Sequence, residues 1–577
     1  MPAPRFVLIS CLALLAYLGC QGPPAQLPLT ICNPMDLSYR FMPEEPSRRE
    51  AADPSVIRFQ DEYYLFASKS GGYWVSGDLA QWEFIQTDQI PTEEYAPTAM
   101  VLRDTVFFMA SSKTRSRIFK SANPRSGQWQ IAKDSLAIPV WDPAFFQDED
   151  GQLYLYWGCS NVDPLYGVKL DDQSFEFKSE VVKLLFPHPE LHGWEIRGDY
   201  NTQVEVSPWI EGPWMNKHQG KYYLQYAAPG TLEKSYSDAV YIGNSPLGPF
   251  KPALHNPFAY KPEGFACGAG HGSTFSDSFG NYWHAGTVPI AVRHKFERRL
   301  GIYPSFFDED QVFYTYTRFG DYPMQVPGQL MEDPEDLFMG WMLVSYGKKA
   351  LVSSSIDSLG PENLNDEEIR TYWSAQTGNP DEWAGLDLGE PTTVRAIQVN
   401  FAEHNTQLKG RVAGIRHAYL IETSSDGSNW QVLIDQSESQ SDRSHVYHPL
   451  DRPIETRYLR VRNVAVPDGT FALSGLRVFG HQAMAAPEEV DSFYVQRDPV
   501  DPRSVHLSWA SLPEADGYNI RYGIAPDKLY HNYLVYGQDQ VTIRSLHLKH
   551  RYFFAIEAFN AGGVGPLKDG KTGTDPL

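Results

Sequence analysis

The sequence predicts an all-β protein: a five-bladed β-propeller followed by two β-sandwich domains. Five segments of the chain repeat one pattern, a polar turn followed by an aromatic-rich strand whose residues alternate between two faces. Aromatic residues make up 14% of the 577 residues, and Gly and Pro are plentiful, as is typical of short strands joined by tight turns. A chain of this length is also too long for one hydrophobic core, so several domains are expected.

The repeat predicts the propeller over residues 33–335, with one copy in each blade. The copies are spaced by about the length of one four-stranded sheet with its loops, and they begin at Val56, Met100, Phe145, Trp214 and Thr274. In a propeller, the loops that enter the innermost strands gather at one end of the central channel. We therefore expect a functional site to be built from residues just before the repeated strands.

Ionisable residues stand in that place in four of the five copies. Asp53, Asp142 and Glu211 precede the first, third and fourth strands, and His271 precedes the fifth, whereas the second copy offers Thr98. Proline follows each acid directly or after one residue and restricts the backbone beside it. Any single Asp-Pro pair is equally well explained as a turn; the set of positions is what favours a catalytic constellation.

Glu211 is flanked by Trp209 and Trp214. A carboxyl group between two indoles lies in a partly dry pocket, and removal from water favours its protonated form. Such a carboxyl group is suited to act as a general acid, and a second acid on a different blade of the propeller can face it across the channel mouth. A neighbour on the same strand cannot.

These motifs resemble glycoside hydrolase family 43. The matching segments, which together cover residues 33 to about 330, are AADPSVIRFQDEYYLFAS, WDPAFFQDEDGQLYLYWG, SPWIEGPWMNKHQGKYYLQYA and GAGHGSTF. The resemblance implies a five-bladed propeller and inverting hydrolysis, with Asp53 as general base, Glu211 as general acid and Asp142 as the carboxylate that orients Glu211 and modulates its acidity. The departures are Thr98 and a long insertion, LLFPHPELHGWEIRGDYNTQVEV.

The resemblance also suggests substrate-binding residues. His271 matches a family histidine that in some members lies beside a water-ligated calcium ion, so a structural Ca²⁺ in the channel is expected, with no cofactor required for the reaction. The indoles of Trp141, Trp209 and Trp214 are candidate sugar platforms, with packing between blades as the alternative for each. Arg299, of the Arg298-Arg299 pair, is a candidate hydroxyl-binding group, with a solvated pair as the alternative. Asp36 is a second candidate base and Glu205 a second candidate acid.

The first twenty residues read as an export signal. One Arg precedes an apolar run, and the run ends at Leu18-Gly19-Cys20, which resembles the cleavage and lipidation motif of bacterial lipoproteins. We expect a signal peptide over 1–20, lipid on Cys20, a tether over 21–32 and an outer-membrane location. The alternative is ordinary secretion. Cys32, Cys159 and Cys267 lack metal-type spacing and are interpreted as small buried residues, with one disulfide left open.

Two appended domains follow the propeller. Residues 339–481 contain RTYWSAQTGNPDEWAGLDLG and YLIETSSDGSNWQVL, which resemble the discoidin-like sandwich of factor V/VIII C-type domains. Its two interpretations are a glycan-binding accessory and a structural brace. Residues 487–574, with VHLSWASL and YFFAIEAFNAGGVGP, resemble a fibronectin type III sandwich, for which we expect a spacer role.

The net charge of the chain disfavours some classes of binding partner. Lys and Arg total 49 against 71 Asp and Glu, a net charge of -22, and no basic stripe interrupts the excess, which argues against nucleic acids and polyanionic substrates. We expect a monomeric glycosidase that removes arabinofuranose or xylose from neutral glycans. The alternatives are a galactose-releasing enzyme of the same fold, a retaining glycosidase or phosphorylase on a similar propeller, and a non-catalytic glycan-binding lipoprotein.

Overall fold

The computed structural model describes residues 28–569, and these residues are almost entirely β-structure. The predicted signal, Cys20 and most of the tether lie outside the described residues. Strands are numbered in chain order. Four short 3₁₀ helices are present among the described residues, at Pro124–Ser126, Gly193–Glu195, Pro334–Leu337 and Pro361–Leu364. Within residues 28–569, no helix has the length and apolar character needed to cross a bilayer.

Five antiparallel sheets form the blades, and each predicted repeat is the first hairpin of one blade. A short pair, β1 (Thr30–Ile31) with β23 (Met324–Gln325), lies outside the blades. Blade 1 has β2 (Ala52–Phe59), β3 (Glu62–Ser68), β4 (Gly72–Ser76) and β5 (Glu83–Gln86). Blade 2 has β6 (Thr98–Leu102), β7 (Thr105–Met109), β8 (Ile118–Ser121) and β9 (Gln130–Lys133). Blade 3 has β10 (Ala144–Gln147), β11 (Leu153–Trp157), β13 (Leu165–Leu170) and β14 (Val182–Leu185).

The last two blades complete the propeller. Blade 4 has β15 (Ile210–His218), β16 (Lys221–Ala228), β17 (Ser237–Gly243) and β18 (Phe250–Pro252), and it gains β12 (Cys159–Ser160) on its inner edge. Blade 5 has β19 (Gly270–Ser276), β20 (Tyr282–Pro289), β21 (Arg298–Phe307) and β22 (Phe313–Thr315). The first strands of successive blades lie side by side, and that of blade 5 contacts that of blade 1. The sheets therefore form a closed ring, as predicted.

Aromatic side chains fill the space between blades, as the alternating pattern of the repeat predicts. Between blades 1 and 2, for example, Phe66 lies 5.3 Å from Phe108 and 6.0 Å from Trp129, ring centre to ring centre. These rings belong to one buried cluster that spans both sheets. Because each large side chain is shared by two sheets, burial of apolar surface holds the blades in fixed relative positions.

Two further β-domains follow the ring. The first of them, called the second domain of the chain below, contains β24 (Met342–Leu343), β25 (Lys349–Val352), β26 (Trp373–Ser374), β27 (Trp383–Phe401), β28 (Ala418–Ser424), β29 (Gln431–Asp435), β30 (His445–Ala465) and β31 (Ala472–Gln482). The last domain contains β32 (Phe493–Arg497), β33 (Val505–Trp509), β34 (Gly517–Gly523), β35 (His531–Tyr536), β36 (Gln540–Ile543), β37 (Phe553–Asn560), β38 (Gly563–Val564) and β39 (Lys568–Asp569). This last domain has two sheets around one buried core; its assignment to the fibronectin type III family stays a prediction.

Buried arginines join the first of these domains to the propeller. Arg477 of β31 is 1% exposed and donates two parallel bonds to Glu367 of the same domain, at 3.0 and 2.9 Å. The same guanidinium donates to the carbonyl of Asp321 at the end of the propeller. On another part of the interface, Arg49 donates to Glu403 and to both oxygens of Asp442. Such pairs need every member, since removing one leaves a buried charge without its partner.

We predict that Arg477→Ala lowers the free energy of unfolding by about 3–5 kcal/mol, because Glu367 would remain buried without its cation. Chemical denaturation followed by tryptophan fluorescence measures the change. Arg457→Ala is the matched control: its ion pair with Asp387 is partly exposed, so a change of about 0–1 kcal/mol is expected. Equal effects of the two substitutions would contradict the prediction.

Candidate active site

Each blade places one residue with a left-handed backbone at the inner end of its first strand. The φ values are 53° for Asp53, 45° for Ala96, 48° for Asp142, 58° for Gly212 and 45° for His271. The next residue is Pro in four blades and Gly in the fifth. In blades 1, 4 and 5 this point is a β-bulge, where the pairing register with the second strand shifts. Bulges of this kind re-aim a side chain, here toward the centre of the ring.

This register corrects two of the sequence-based equivalences. The position in blade 2 is Ala96, whereas Thr98 is fully buried and its Oγ1 accepts a bond from the main-chain N of Phe145 in blade 3. The position in blade 4 is Gly212, so Glu211 stands one residue earlier than Asp53 and Asp142 do. The difference arises because the tripeptides Ala52-Asp53-Pro54 and Glu211-Gly212-Pro213 share a backbone, while their acids occupy different places in it.

Side chains from neighbouring strands hold four of these residues by their main-chain nitrogens. Ser68 Oγ accepts from Ala96 N at 2.7 Å, and Ser111 Oγ accepts from Asp142 N at 2.8 Å. Thr287 Oγ1 accepts from Asp53 N at 2.9 Å, and Asp238 Oδ1 accepts from His271 N at 2.7 Å. Each bond crosses from one blade to the next. The left-handed residues are therefore fixed by the ring as a whole and not by local turns alone.

His271 lies among the predicted catalytic acids. Its Nδ1 is 3.4 Å from Asp53 Oδ1 and 3.7 Å from Asp142 Oδ2. Burial disfavours the imidazolium, but the carboxylates of Asp53, Asp142 and Glu211 outweigh it and raise the pKa of His271. The His271 ring thus lies at a site in which three acids from three blades meet, and their charges favour its protonated form.

The acidity of Asp142 is altered by its surroundings. Burial raises its pKa to about 7, and the charges of Glu211 and Asp53 add to the rise, while His271 opposes it. Ser111 Oγ donates to Asp142 Oδ1 at 3.2 Å. A carboxyl group with this pKa gives up or takes a proton near neutral pH, which suits a residue that exchanges charge with a neighbouring acid.

Glu211 is 8% exposed and both of its oxygens have partners. The hydroxyl of Tyr236 donates to Oε1, and the thiol of Cys159 donates to Oε2 at 3.1 Å. One oxygen each of Glu211 and Asp142 lies within 4.8 Å of the other and of the Cys159 sulfur. Sequence reasoning missed Tyr236 and interpreted Cys159 as a buried small residue. That interpretation is wrong, because Cys159 is partly exposed and contacts the acid.

Asp53 is bound by a serine and an arginine. Ser68 Oγ donates to Asp53 Oδ2, and Arg298 Nη1 donates to Oδ1 at 3.2 Å. Arg298 also donates to Glu50 Oε1 at 2.8 Å and to Thr231 Oγ1 at 2.8 Å. A buried carboxylate needs such compensation, since desolvation of an unpaired charge is costly.

The arginine that contacts the candidate base Asp53 is therefore Arg298 and not Arg299. Arg299 is 1% exposed and points toward the second domain, where it bonds His445 Nε2 at 3.1 Å and the carbonyl of Arg49 at 2.9 Å. The predicted role of Arg299 in substrate binding is thus wrong. Successive residues on a strand face opposite sides, so two adjacent arginines could not both reach the site. Neither is solvated.

The predicted tryptophan platforms divide into two kinds. Trp141 and Trp209 are each 38% exposed and lie within two residues of Asp142 and Glu211. Trp214 is partly buried within the cluster between blades 3 and 4, and its Nε1 donates to the carbonyl of Thr274 in blade 5. For Trp214 the packing alternative holds, because its ring and its N–H are both used inside the protein.

The rival acids lie elsewhere. Asp36 pairs with Arg443 at 3.3 Å on the second domain, and burial raises its pKa to about 6. Glu205 is exposed, and no contact with the acid cluster is seen among the described residues. Asp53 and Glu211 remain the candidates for base and acid.

A water-ligated Ca²⁺ beside His271 stays a prediction. Ca²⁺ takes six to eight oxygen ligands, and Nδ1 of His271 faces the carboxylates of Asp53 and Asp142, whose charges raise the pKa of the ring. Among the described residues, the one grouping of potential metal ligands is Asp142, Cys159 and Glu211, whose thiol is unsuited to a hard cation. The expectation of a channel Ca²⁺ gains no support from these side chains.

Comparison with known proteins agrees with this arrangement. Residues 47–313 match the model of glycosyl hydrolases family 43, and residues 349–474 match that of the F5/8 type C domain. The chain thus contains a domain of each type, as the resemblances implied. Three cysteines, Cys32, Cys159 and Cys267, are free, so none of them forms the disulfide left open.

The curated relatives share a low sequence identity with this chain and match only part of it. A xylosidase/arabinosidase of Butyrivibrio fibrisolvens is 27% identical over 260 residues, which cover 40% of this chain and 48% of the relative. A beta-D-galactofuranosidase of Aspergillus niger is 23% identical over 320 residues, 48% of this chain and 84% of the relative. The chain therefore spans less than half of the first relative. A solved glycoside hydrolase is 19% identical, with a TM-score of 0.45, over 74% of this chain and 97% of its own.

Gly212 tests the packing of the site. A Cβ at this position would lie 2.5 Å from the His271 ring, and its φ of 58° costs an L-residue about 1–2 kcal/mol. We predict that Gly212→Ala displaces His271 and lowers kcat/KM by at least tenfold, provided that the site is catalytic. Gly220→Ala, at φ 78° with open space around its Cβ, is the control for backbone strain alone. Equal losses in the two variants would contradict the role of the His271 contact.

Proposed function

We propose that the protein is an inverting glycoside hydrolase that removes terminal arabinofuranose or xylose from neutral glycans. The observation that carries the proposal is the convergence of Asp53, Asp142 and Glu211, from three blades, around His271. The match to family 43 and the xylosidase/arabinosidase relative support the reaction class and the sugar class. The excess of negative charge is consistent with a neutral substrate.

In this mechanism Asp53 takes a proton from the attacking water while Glu211 gives one to the leaving oxygen. Arg298 and Ser68 hold the Asp53 carboxylate in one orientation, so its base oxygen is positioned before substrate arrives. Asp142 lies close to Glu211, and repulsion between two carboxylates disfavours ionisation of both at once. The indoles of Trp141 and Trp209 are the proposed sugar platforms, because both are exposed beside the acids.

A second sugar class is supported by one observation. The Aspergillus relative is named for beta-D-galactofuranose, another furanoside, and it is matched over most of its length. A furanose-releasing enzyme with galactofuranose specificity is therefore the nearest alternative. A non-catalytic glycan-binding role is disfavoured, since a binding site gains little from three buried acids and their desolvation cost.

We expect the wild-type protein to hydrolyse nitrophenyl α-L-arabinofuranoside or β-D-xyloside and to release the inverted anomer first, as seen by NMR. Asp53→Asn and Glu211→Gln should each lower kcat/KM by about 10²–10⁴-fold, the usual contribution of a general acid or base. A dinitrophenyl substrate separates the roles, because its leaving group needs no proton. Glu211→Gln should then recover most of its activity, and Asp53→Asn should not.

Glu205→Gln is the matched control, an exposed glutamate six residues from Glu211, and its kinetics should equal those of the wild type. Retained anomer would contradict inversion, and a phosphate requirement would favour a phosphorylase. If Asp53→Asn and Glu211→Gln both turned over normally, the assignment of the site would be wrong. No turnover by the wild type on a panel of arabinosides, xylosides and galactosides would favour the lectin alternative.

We also propose export and lipid attachment at Cys20, on the basis of the apolar run and the Leu-Gly-Cys ending. The expected location is the bacterial outer membrane. Cells that express the full chain should incorporate labelled fatty acid into it, and Cys20→Ala should abolish the label and release the protein from the membrane fraction. Label retained in Cys20→Ala would contradict the proposal; Cys11→Ala, within the apolar run, is the matched control.

For the F5/8 type C domain we propose the bracing role. Its buried arginine-carboxylate contacts with the propeller, through Arg477 and Arg49, support a fixed attachment. Arg49→Ala tests this role in the same denaturation experiment, because the pairs of Arg49 with Glu403 and Asp442 cross from the propeller to this domain. An unfolding free energy equal to that of the wild type would contradict the bracing role.

A further inference from the structure

The chain changes sheets at the residue that faces the candidate acid. Blade 3 contributes β11, and the chain then passes Gly158, at φ 147°, and enters β12, which pairs with β15 of blade 4. Any Cβ at Gly158 would lie 2.7 Å from Leu165, so only glycine fits there. The pairing sets Cys159 directly opposite Glu211, and side chains at such a position lie on one face at contact distance. The thiol is thus placed by backbone hydrogen bonds.

The three acids receive different donors. Asp53 accepts a hydroxyl bond from Ser68, and Asp142 accepts one from Ser111. Glu211 Oε2 accepts a thiol bond from Cys159, at 3.1 Å. Burial, together with the Asp142 and Glu211 charges, raises the pKa of the Cys159 thiol, which therefore stays protonated and able to donate.

A thiol and a hydroxyl differ in how firmly they hold a carboxylate. An S–H group is a weak donor, whereas an O–H···O⁻ bond is short and among the strongest in proteins. A strong donor favours the ionised form of a carboxyl group, and a weak one leaves the proton easier to keep. The residue proposed to act as base has the strong donor, and one oxygen of the residue proposed to act as acid has the weak one.

The other oxygen of Glu211 is already occupied, since the Tyr236 hydroxyl donates to Oε1. Oε2 is therefore the oxygen left to carry a proton. When the proton passes from Oε2 to the glycosidic oxygen, the C–O bond of the leaving group breaks and Glu211 becomes a carboxylate. The thiol then donates to that carboxylate, so the contact strengthens as the proton leaves.

We propose that Cys159 is a positioning residue that orients Oε2 of Glu211 and, as a weak donor, lets this oxygen hold its proton until the transfer. The proposal rests on the proposed glycosidase function and adds to it the identity of the proton-carrying oxygen. The other titratable groups whose charge acts on the same cluster come from several elements: Tyr236, Asp238, Asp142, His271 and Asp53. None of these residues is substituted in the variants below. The Cys159 thiol also bonds Asp142, so a shift in pH dependence reports the donor at position 159 acting on the pair of Glu211 and Asp142.

The test compares Cys159→Ser with Cys159→Ala in the full chain. Serine is a stronger donor, so the alkaline limb of the kcat/KM profile on a nitrophenyl glycoside should move down by about 0.5–1 pH unit. Alanine removes the donor, so the limb should move up by about 0.5 pH unit. Opposite shifts from two small substitutions are not expected from a change in packing. With a dinitrophenyl leaving group, which needs no proton, both shifts should disappear.

Cys267→Ala is the control for loss of a thiol, because Cys267 is buried, its sulfur contacts the carbonyl of Pro289, and the charges that act on it are those of Lys234, Arg370, Glu368 and Lys261. Its profile should match the wild type, and melting temperatures confirm that all variants fold. Profiles for Ser and Ala that coincide with the wild type, or shift in one direction, would overturn the proposal while leaving the glycosidase assignment intact. Wild-type inactivity on every glycoside would overturn both.

Discussion

The site depends on a backbone constraint that recurs once in every blade. A left-handed residue at the inner strand end turns one side chain toward the axis of the ring, and for a residue other than glycine this conformation costs about 1–2 kcal/mol. Hydrogen bonds from neighbouring blades to four of these residues offset that cost. The strain persists because the surrounding structure over-determines it, as is common at functional sites.

Electrostatic balance follows from that geometry. Three acids brought together in a buried place would repel one another and would pay the desolvation of each charge. His271 lies between Asp53 and Asp142, and Arg298 binds Asp53 from the other side. Two basic side chains thus face the acids, while burial raises the pKa of Asp142 to about 7. Asp142 is therefore the acid whose surroundings favour its protonated form.

Both appended domains contact the propeller through arginine side chains. The F5/8 type C domain reaches the propeller through Arg477 and Asp321, and the last sandwich reaches it through the pair of Arg318 and Glu557. Arg299 shows how close these contacts come to the site: its neighbour Arg298 binds Asp53, whereas Arg299 itself binds His445 of the second domain. One strand of blade 5 therefore carries both the catalytic contact and the interdomain contact.

The sequence by itself determined the blade repeat, the positions of Asp53, Asp142, Glu211 and His271, and the order of the domains. Patterns of this kind are local: alternation along a strand and a proline after a turn are visible in a few residues. The sequence also contains the equivalent pairs at the left-handed position of each blade, which are Asp-Pro, Ala-Pro, Asp-Pro, Gly-Pro and His-Gly. In blade 4, however, the acid is one residue before this pair, and only the bulged backbone of the structure shows the offset.

Tertiary structure alone decided which residues serve the acids. Asp238 and Arg298 lie on the third strands of blades 4 and 5, Tyr236 directly precedes the third strand of blade 4, and Cys159 lies on the strand that changes blades. Their contacts join residues 25 to 245 positions apart. No local pattern encodes such a partner, because closure of the ring sets the distance. The face of the strand that turns inward decides that Arg298, and not Arg299, contacts Asp53. It also decides that Trp214 packs between blades. The sequence was enough to predict which kinds of residue form the candidate site, whereas the contacts between those residues depend on the tertiary structure.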